Sequence, residues 1–86
     1  MILQFTLGFK KKAAKLTQKE PKLQKKLQKQ FKLFQNDQKH RSLKLHKLKG
    51  DRNEQYAIWI HGDLRAVATK DGEMYIFFDL VTHDEY

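Results

Sequence analysis

Residues 56–81 read YAIWIHGDLRAVATKDGEMYIFFDLV. Apolar and polar positions alternate through three runs, broken by Gly62-Asp63 and by Asp71-Gly72. A period of two marks strands, because successive side chains of an extended chain leave on opposite faces. Short Gly/Asp breaks between such runs close hairpins, since glycine accepts the left-handed backbone that tight loops demand. The stretch therefore predicts antiparallel strands at 56–61, 64–70 and 73–81. Upstream, Leu43 and Leu45 alternate with Lys44 and His46 until Gly50, which predicts a further strand at 43–49. Residues 1–6 are a candidate fifth.

Further toward the N-terminus the spacing changes to threes and fours. Phe9, Ala13 and Leu16 predict a helix over 8–18, and Leu23, Leu27, Phe31 and Phe34 predict another over 20–36, each with one apolar stripe. Pro21 suits the first turn of a new helix and separates the two. Helices first and strands afterwards give an α+β fold: two N-terminal helices packed on one face of a twisted four- to five-stranded antiparallel sheet, with the other face open. The 86 residues suffice for one modest core, so a single domain over 1–86 is expected.

The charge is unevenly placed. Residues 1–50 hold fifteen Lys and Arg against two acids, Glu20 and Asp37, while residues 51–86 hold three against eight. The total is +8. A dense basic segment is either a set of solvated helix faces or an attractor for phosphate backbones and acidic partners, and the two are compatible. The chain has no cysteine, which excludes disulfides and thiolate metal sites and points to a reducing compartment. No stretch is long and apolar enough for a bilayer, and the apolar start followed by lysines reverses the order of a secretory signal, so a cytoplasmic protein without membrane contact is expected.

The common catalytic motifs are missing: there is no Gly-rich phosphate loop, and the sole serine is Ser42. The side chains able to do chemistry lie in the strand half: His46, His61, Asp63, Arg65, Asp79, His83, Asp84, Glu85 and Tyr86. Arg65 interrupts the apolar run LRAVA, where a guanidinium either bridges to Asp63 or Asp79 or faces an open surface as a phosphate clamp. His83 follows the last strand, and His46 lies in the segment after the helices; imidazoles there can exchange protons near neutral pH. Two histidines and an arginine make up the minimum set for metal-free RNA cleavage: a base for the 2′-hydroxyl, a cation for the phosphorane and an acid for the 5′-oxygen. His46, His61 and His83 lack the short spacing of a metal motif, so neither metal nor cofactor is expected. Trp59 is either a core residue or, on an open face beside Lys44, Lys47, Lys49 and His61, a platform for an exposed base.

Three segments in order, LKLHKLKG (43–50), YAIWIHGDLRAVA (56–68) and FFDLVTHDEY (77–86), resemble the RelE/ParE superfamily of toxins from type II toxin-antitoxin systems, nearest to its RelE/StbE and YafQ-like branch. The resemblance covers nearly the whole chain. It implies a ribosome-dependent, metal-free endoribonuclease that cuts mRNA in the A site and inhibits translation. It implies as partners the ribosome, mRNA and a cognate acidic antitoxin, in a higher hetero-oligomer. By position it implies that His46, Asp63, Arg65, His83 and Tyr86 form the catalytic set. Two departures stand out: Trp59 occupies the place of a further strand histidine, and HDEY is one residue shorter than the HDEVY ending. The fold is equally that of ParE-like toxins that poison DNA gyrase without nuclease activity, which is the alternative function; a relative that has lost activity and serves as a basic interaction module is the third.

Overall fold

The structure, a computed structural model, describes residues 1–48 and 55–82. A short strand β1 (Ile2–Phe5) leads into α1 (Leu7–Lys19), whose first turn is capped by Thr6: its Oγ1 accepts from the Phe9 amide at 3.1 Å. Pro21 precedes α2 (Lys22–Asn36), and a 3-10 turn, Arg41–Leu43, follows. The remaining strands are β2 (His46–Lys47), β3 (Gln55–His61), β4 (Leu64–Asp71) and β5 (Met74–Val81). They form one sheet in the order β1-β5-β4-β3-β2.

Both hairpins form where the sequence places them, with Gly62 at φ 57° and Gly72 at φ 62°. In the second, Asp71 pairs with Met74, so Gly72 and Glu73 are the loop residues.

Two expectations are corrected. The sheet is mixed, because β1 runs parallel to β5, from Ile2 opposite Met74 to Phe5 opposite Phe77. Local alternation carries no information about the direction of a partner so distant in sequence; Phe5 is instead fixed by packing against Phe9, Phe31 and Phe77, with ring centroids 5.3, 5.0 and 5.7 Å away. Among the described residues, the strand expected over 43–49 shrinks to His46–Lys47. Leu43 is fully buried at the end of the 3-10 turn, and Lys44 adopts the left-handed conformation (φ 49°, ψ 42°), which breaks an extended run.

The core lies between the helices and the sheet. Leu23, Leu27 and Phe34 of α2 and Phe9 of α1 meet Ile58, Ile60, Ala66, Ala68, Tyr75, Phe77 and Leu80. Rings pack edge to face, as in Phe31 against Phe77 at 4.8 Å and Phe34 against Tyr75 at 4.9 Å, an arrangement worth about 0.5–1.5 kcal/mol per pair beyond area burial. Gln30 shares the buried stripe, and its Nε2 donates to the Trp59 carbonyl at 2.9 Å. The opposite sheet face is not bare: Leu48, Ala57, Val67 and Val81, with Phe78, form a second small cluster on it.

Candidate functional site

The site is built on the sheet face away from the helices. His46 stands opposite Ala57, and Ala57 belongs to the cluster on that face, so His46 projects there too. It is exposed, and its Nδ1 lies 2.9 Å from the Lys44 carbonyl oxygen. A carbonyl only accepts, so the Nδ1 position carries the hydrogen and the Nε2 of the neutral ring keeps its lone pair. The left-handed backbone of Lys44 is what presents that carbonyl.

Two residues along β3 from Ala57, Trp59 pairs with Arg65 of β4. Trp59 Nε1 donates to the Gly62 carbonyl at 2.7 Å, and Arg65 Nη1 donates to the same oxygen at 3.2 Å and to the Leu64 carbonyl at 3.3 Å. Neither ion pair open to Arg65 from sequence forms: Asp79 is bound by Lys12 at 3.1 Å, and among the described residues Arg65 is held by carbonyls alone. Carbonyl dipoles orient a guanidinium without cancelling its charge, so half-buried Arg65 keeps a net positive charge beside the indole. Strands about 4.8 Å apart and residue pairs about 6.7 Å along a strand put the His46 and Arg65 Cα atoms about 12 Å apart. Arg65 is held at the hairpin end of that face by the Gly62 and Leu64 carbonyls, and His46 lies further from the turn, opposite Ala57.

The other candidates divide. Lys44 Nζ lies 5.5 Å from the centre of the Trp59 ring. Lys47 stands opposite Tyr56, whose ring packs on the helix side, so it leaves the sheet on the face opposite to His46. A bulge at Ile60 pairs His61 with Leu64 and turns it toward α2, where it lines a hollow with Lys26, Lys29 and Gln30. Asp63 is exposed at the hairpin tip. Lys49, His83 and Tyr86 lie outside the described residues. Among the described residues, no group of three or more His, Asp or Glu is placed to hold a metal ion, and no helix is long and apolar enough to cross a membrane.

Lys39, His40 and Arg41 were not singled out by sequence, yet with Lys44 and Leu45 they line one hollow. The signal was present in the run KHRSLK, whose basic density was hidden by the uniformly basic helices before it. A larger surface groove runs over the helical layer, past Gly8, Lys11, Lys15 and Gln24, on elements that carry none of the candidate side chains.

The fold is shared with solved toxins. YafQ from E. coli strain BL21(DE3) superposes with a TM-score of 0.76 at 20% identity, covering 96% of this chain and 93% of that one. The E. coli DinJ-YafQ toxin-antitoxin complex gives 0.75 at 21%, over 96% and 92%. A YoeB/ParE toxin from Agrobacterium tumefaciens gives 0.76 at 18%, over 96% and 99%. No family model and no curated protein sequence matches the chain. The architecture is thus that of the RelE/ParE toxins. Within that class the structural likeness includes YafQ- and YoeB-type chains, in agreement with the sequence resemblance.

Proposed function

We propose that the protein is the toxin of a type II toxin-antitoxin pair and acts as a ribosome-dependent endoribonuclease on mRNA in the cytoplasm. The observation that supports this best is the His46 imidazole, exposed on the face that carries Arg65, with its Nδ1 committed to the Lys44 carbonyl. Its Nε2 takes the 2′-hydroxyl proton, and the freed 2′-oxygen forms a bond to phosphorus. Arg65, swinging from the Gly62 carbonyl, donates to the phosphorane oxygens as their charge grows. The bond from phosphorus to the 5′-oxygen then breaks, leaving a cyclic phosphate. His83 is assigned the proton delivered to the departing oxygen; Asp63, exposed at the hairpin tip, is the alternative acceptor for the 2′-hydroxyl proton, and Tyr86 is assigned to stack in the site. The chemistry needs no cofactor, because cationic side chains supply the charge.

The partner expected in the resting cell is an acidic antitoxin, which a net charge of +8 rewards electrostatically. YafQ is seen in a toxin-antitoxin complex with DinJ, and a higher hetero-oligomer is the corresponding expectation.

Controlled expression without antitoxin, with 5′-end mapping of mRNA, tests the reading. Growth arrest with codon-associated cuts, lost in His46→Ala and Arg65→Ala, is expected. Equal toxicity of these variants rejects the chemistry. DNA damage with intact mRNA would move the protein to the gyrase-poisoning class, and no growth effect at all to the inactive class.

A further inference from the structure

The outer edge of β3 carries features that cleavage leaves unused. β2 pairs only with Tyr56 and Ala57, so among the described residues no strand lies beside Ile58–His61 on that edge. Gln30 caps the Trp59 carbonyl there. Two hollows open along this edge. One is lined by Lys26 and Lys29 of α2 with His61; the other by Lys39, Arg41 and Lys44 around the 3-10 turn. They meet at Trp59: its side of the strand borders the first, and Lys44, which borders the second, holds its ammonium over the indole. Among the described residues, no carboxylate lines either hollow.

Lysines on a basic protein are often merely solvated. Two observations set these apart. Lys44 is held in the left-handed backbone region, which costs a side-chain-bearing residue about 1–2 kcal/mol. Its ammonium lies 5.5 Å from the centre of the Trp59 ring, and Trp59 itself lines the first hollow.

We propose that this edge is a track for single-stranded RNA, with one base stacked on Trp59 and the flanking phosphates seated in the two cationic hollows. Cations alternating with an aromatic ring are the arrangement by which proteins hold unpaired strands, because every base has a stackable face and every linkage a charge. An acidic peptide would use the charges and leave the indole idle. Lys44 covers the ring at the cost of little: an exposed cation–π contact is worth about 0.5–1 kcal/mol, against about 1–3 kcal/mol for base stacking. An arriving base therefore displaces the ammonium, which moves to the adjacent phosphate. The inference rests on the RNA-directed reading above, in that the strand held on this edge is the one cut beside His46.

Trp59 is the chain's single tryptophan, so its fluorescence reports on the track directly. The full-length protein is titrated with an unstructured 2′-O-methyl RNA heptamer, which lacks the attacking hydroxyl and stays intact. Saturable quenching is expected, with log K falling linearly in log salt. The double variants Lys26→Ala/Lys29→Ala and Lys39→Ala/Arg41→Ala each lower that slope by about 0.7, the one flanking phosphate each hollow seats. Lys11→Ala/Lys15→Ala removes equal charge from α1 and leaves it unchanged. Absence of quenching, an equal slope loss in the α1 pair, or displacement of the RNA by a glutamate-rich peptide at lower concentration overturns the proposal. Quenching as expected in a protein that leaves mRNA intact sinks the cleavage reading and keeps the track; cleavage without quenching does the reverse.

Discussion

Trp59 and Arg65 face each other across β3 and β4 and give their hydrogens to one acceptor, the Gly62 carbonyl oxygen, at 2.7 and 3.2 Å. The hairpin turn thus sets the direction of both the indole and the guanidinium. Arg65→Lys keeps the charge and loses the planar fork that answers two phosphoryl oxygens at once. Single-turnover cleavage on programmed ribosomes should fall about 10²–10³-fold, the usual loss for one transition-state donor, while the thermal midpoint stays close to wild type because Arg65 is half exposed. Wild-type cleavage by this variant would show that the charge alone matters.

His46→Gln should lower cleavage by about 10²–10⁴-fold, the range for a positioned general base, with unchanged antitoxin binding by titration calorimetry. Glutamine reaches the same space without a basic nitrogen, so retained cleavage would pass the proton-accepting role to Asp63.

Lys44→Gly releases the left-handed strain of about 1–2 kcal/mol and adds about 0.5–1 kcal/mol of backbone entropy lost on folding. Urea unfolding should therefore show stability equal to wild type or up to about 1.5 kcal/mol above it. Leu43→Ala, one residue earlier and fully buried, should lose about 2–5 kcal/mol. A large loss from Lys44→Gly would mean that the lysine side chain, not the backbone, anchors the turn.

Gln30→Leu keeps the volume of the buried stripe and orphans the Trp59 carbonyl. The expected cost is about 1–3 kcal/mol, measured by denaturant midpoint. A variant as stable as wild type would indicate that water reaches that strand edge.

The paired hairpins and both helices could be read from sequence because each is encoded locally, by alternation broken at glycine and by stripes spaced in threes and fours. Gln30 escaped notice although it continues the stripe of Leu23, Leu27 and Phe34; a glutamine among Lys and Gln looks like solvent-facing surface until its strand-edge acceptor is known. The segment at 43–49 misled because Leu43 and Leu45 alternate, while the burial that decides its shape comes from β3 and α2. His46 and Arg65 were legible as chemical types. Their common face was not, since it depends on the register of β2 against β3 and of β3 against β4. The inward turn of His61 follows from the bulge at Ile60, which no residue pattern announces.

The pairing of Ile2–Phe5 with Met74–Phe77 also orders events in time. The first strand to leave the ribosome waits for the last, and the ring of Phe77, which touches Phe5, Phe31 and Phe34, is absent until nearly the whole sheet has been made. Contacts so far apart in sequence make folding slow. A nascent chain therefore lacks the packed core around Phe77, and with it the β1–β5 pairing, for as long as β5 is inside the exit tunnel.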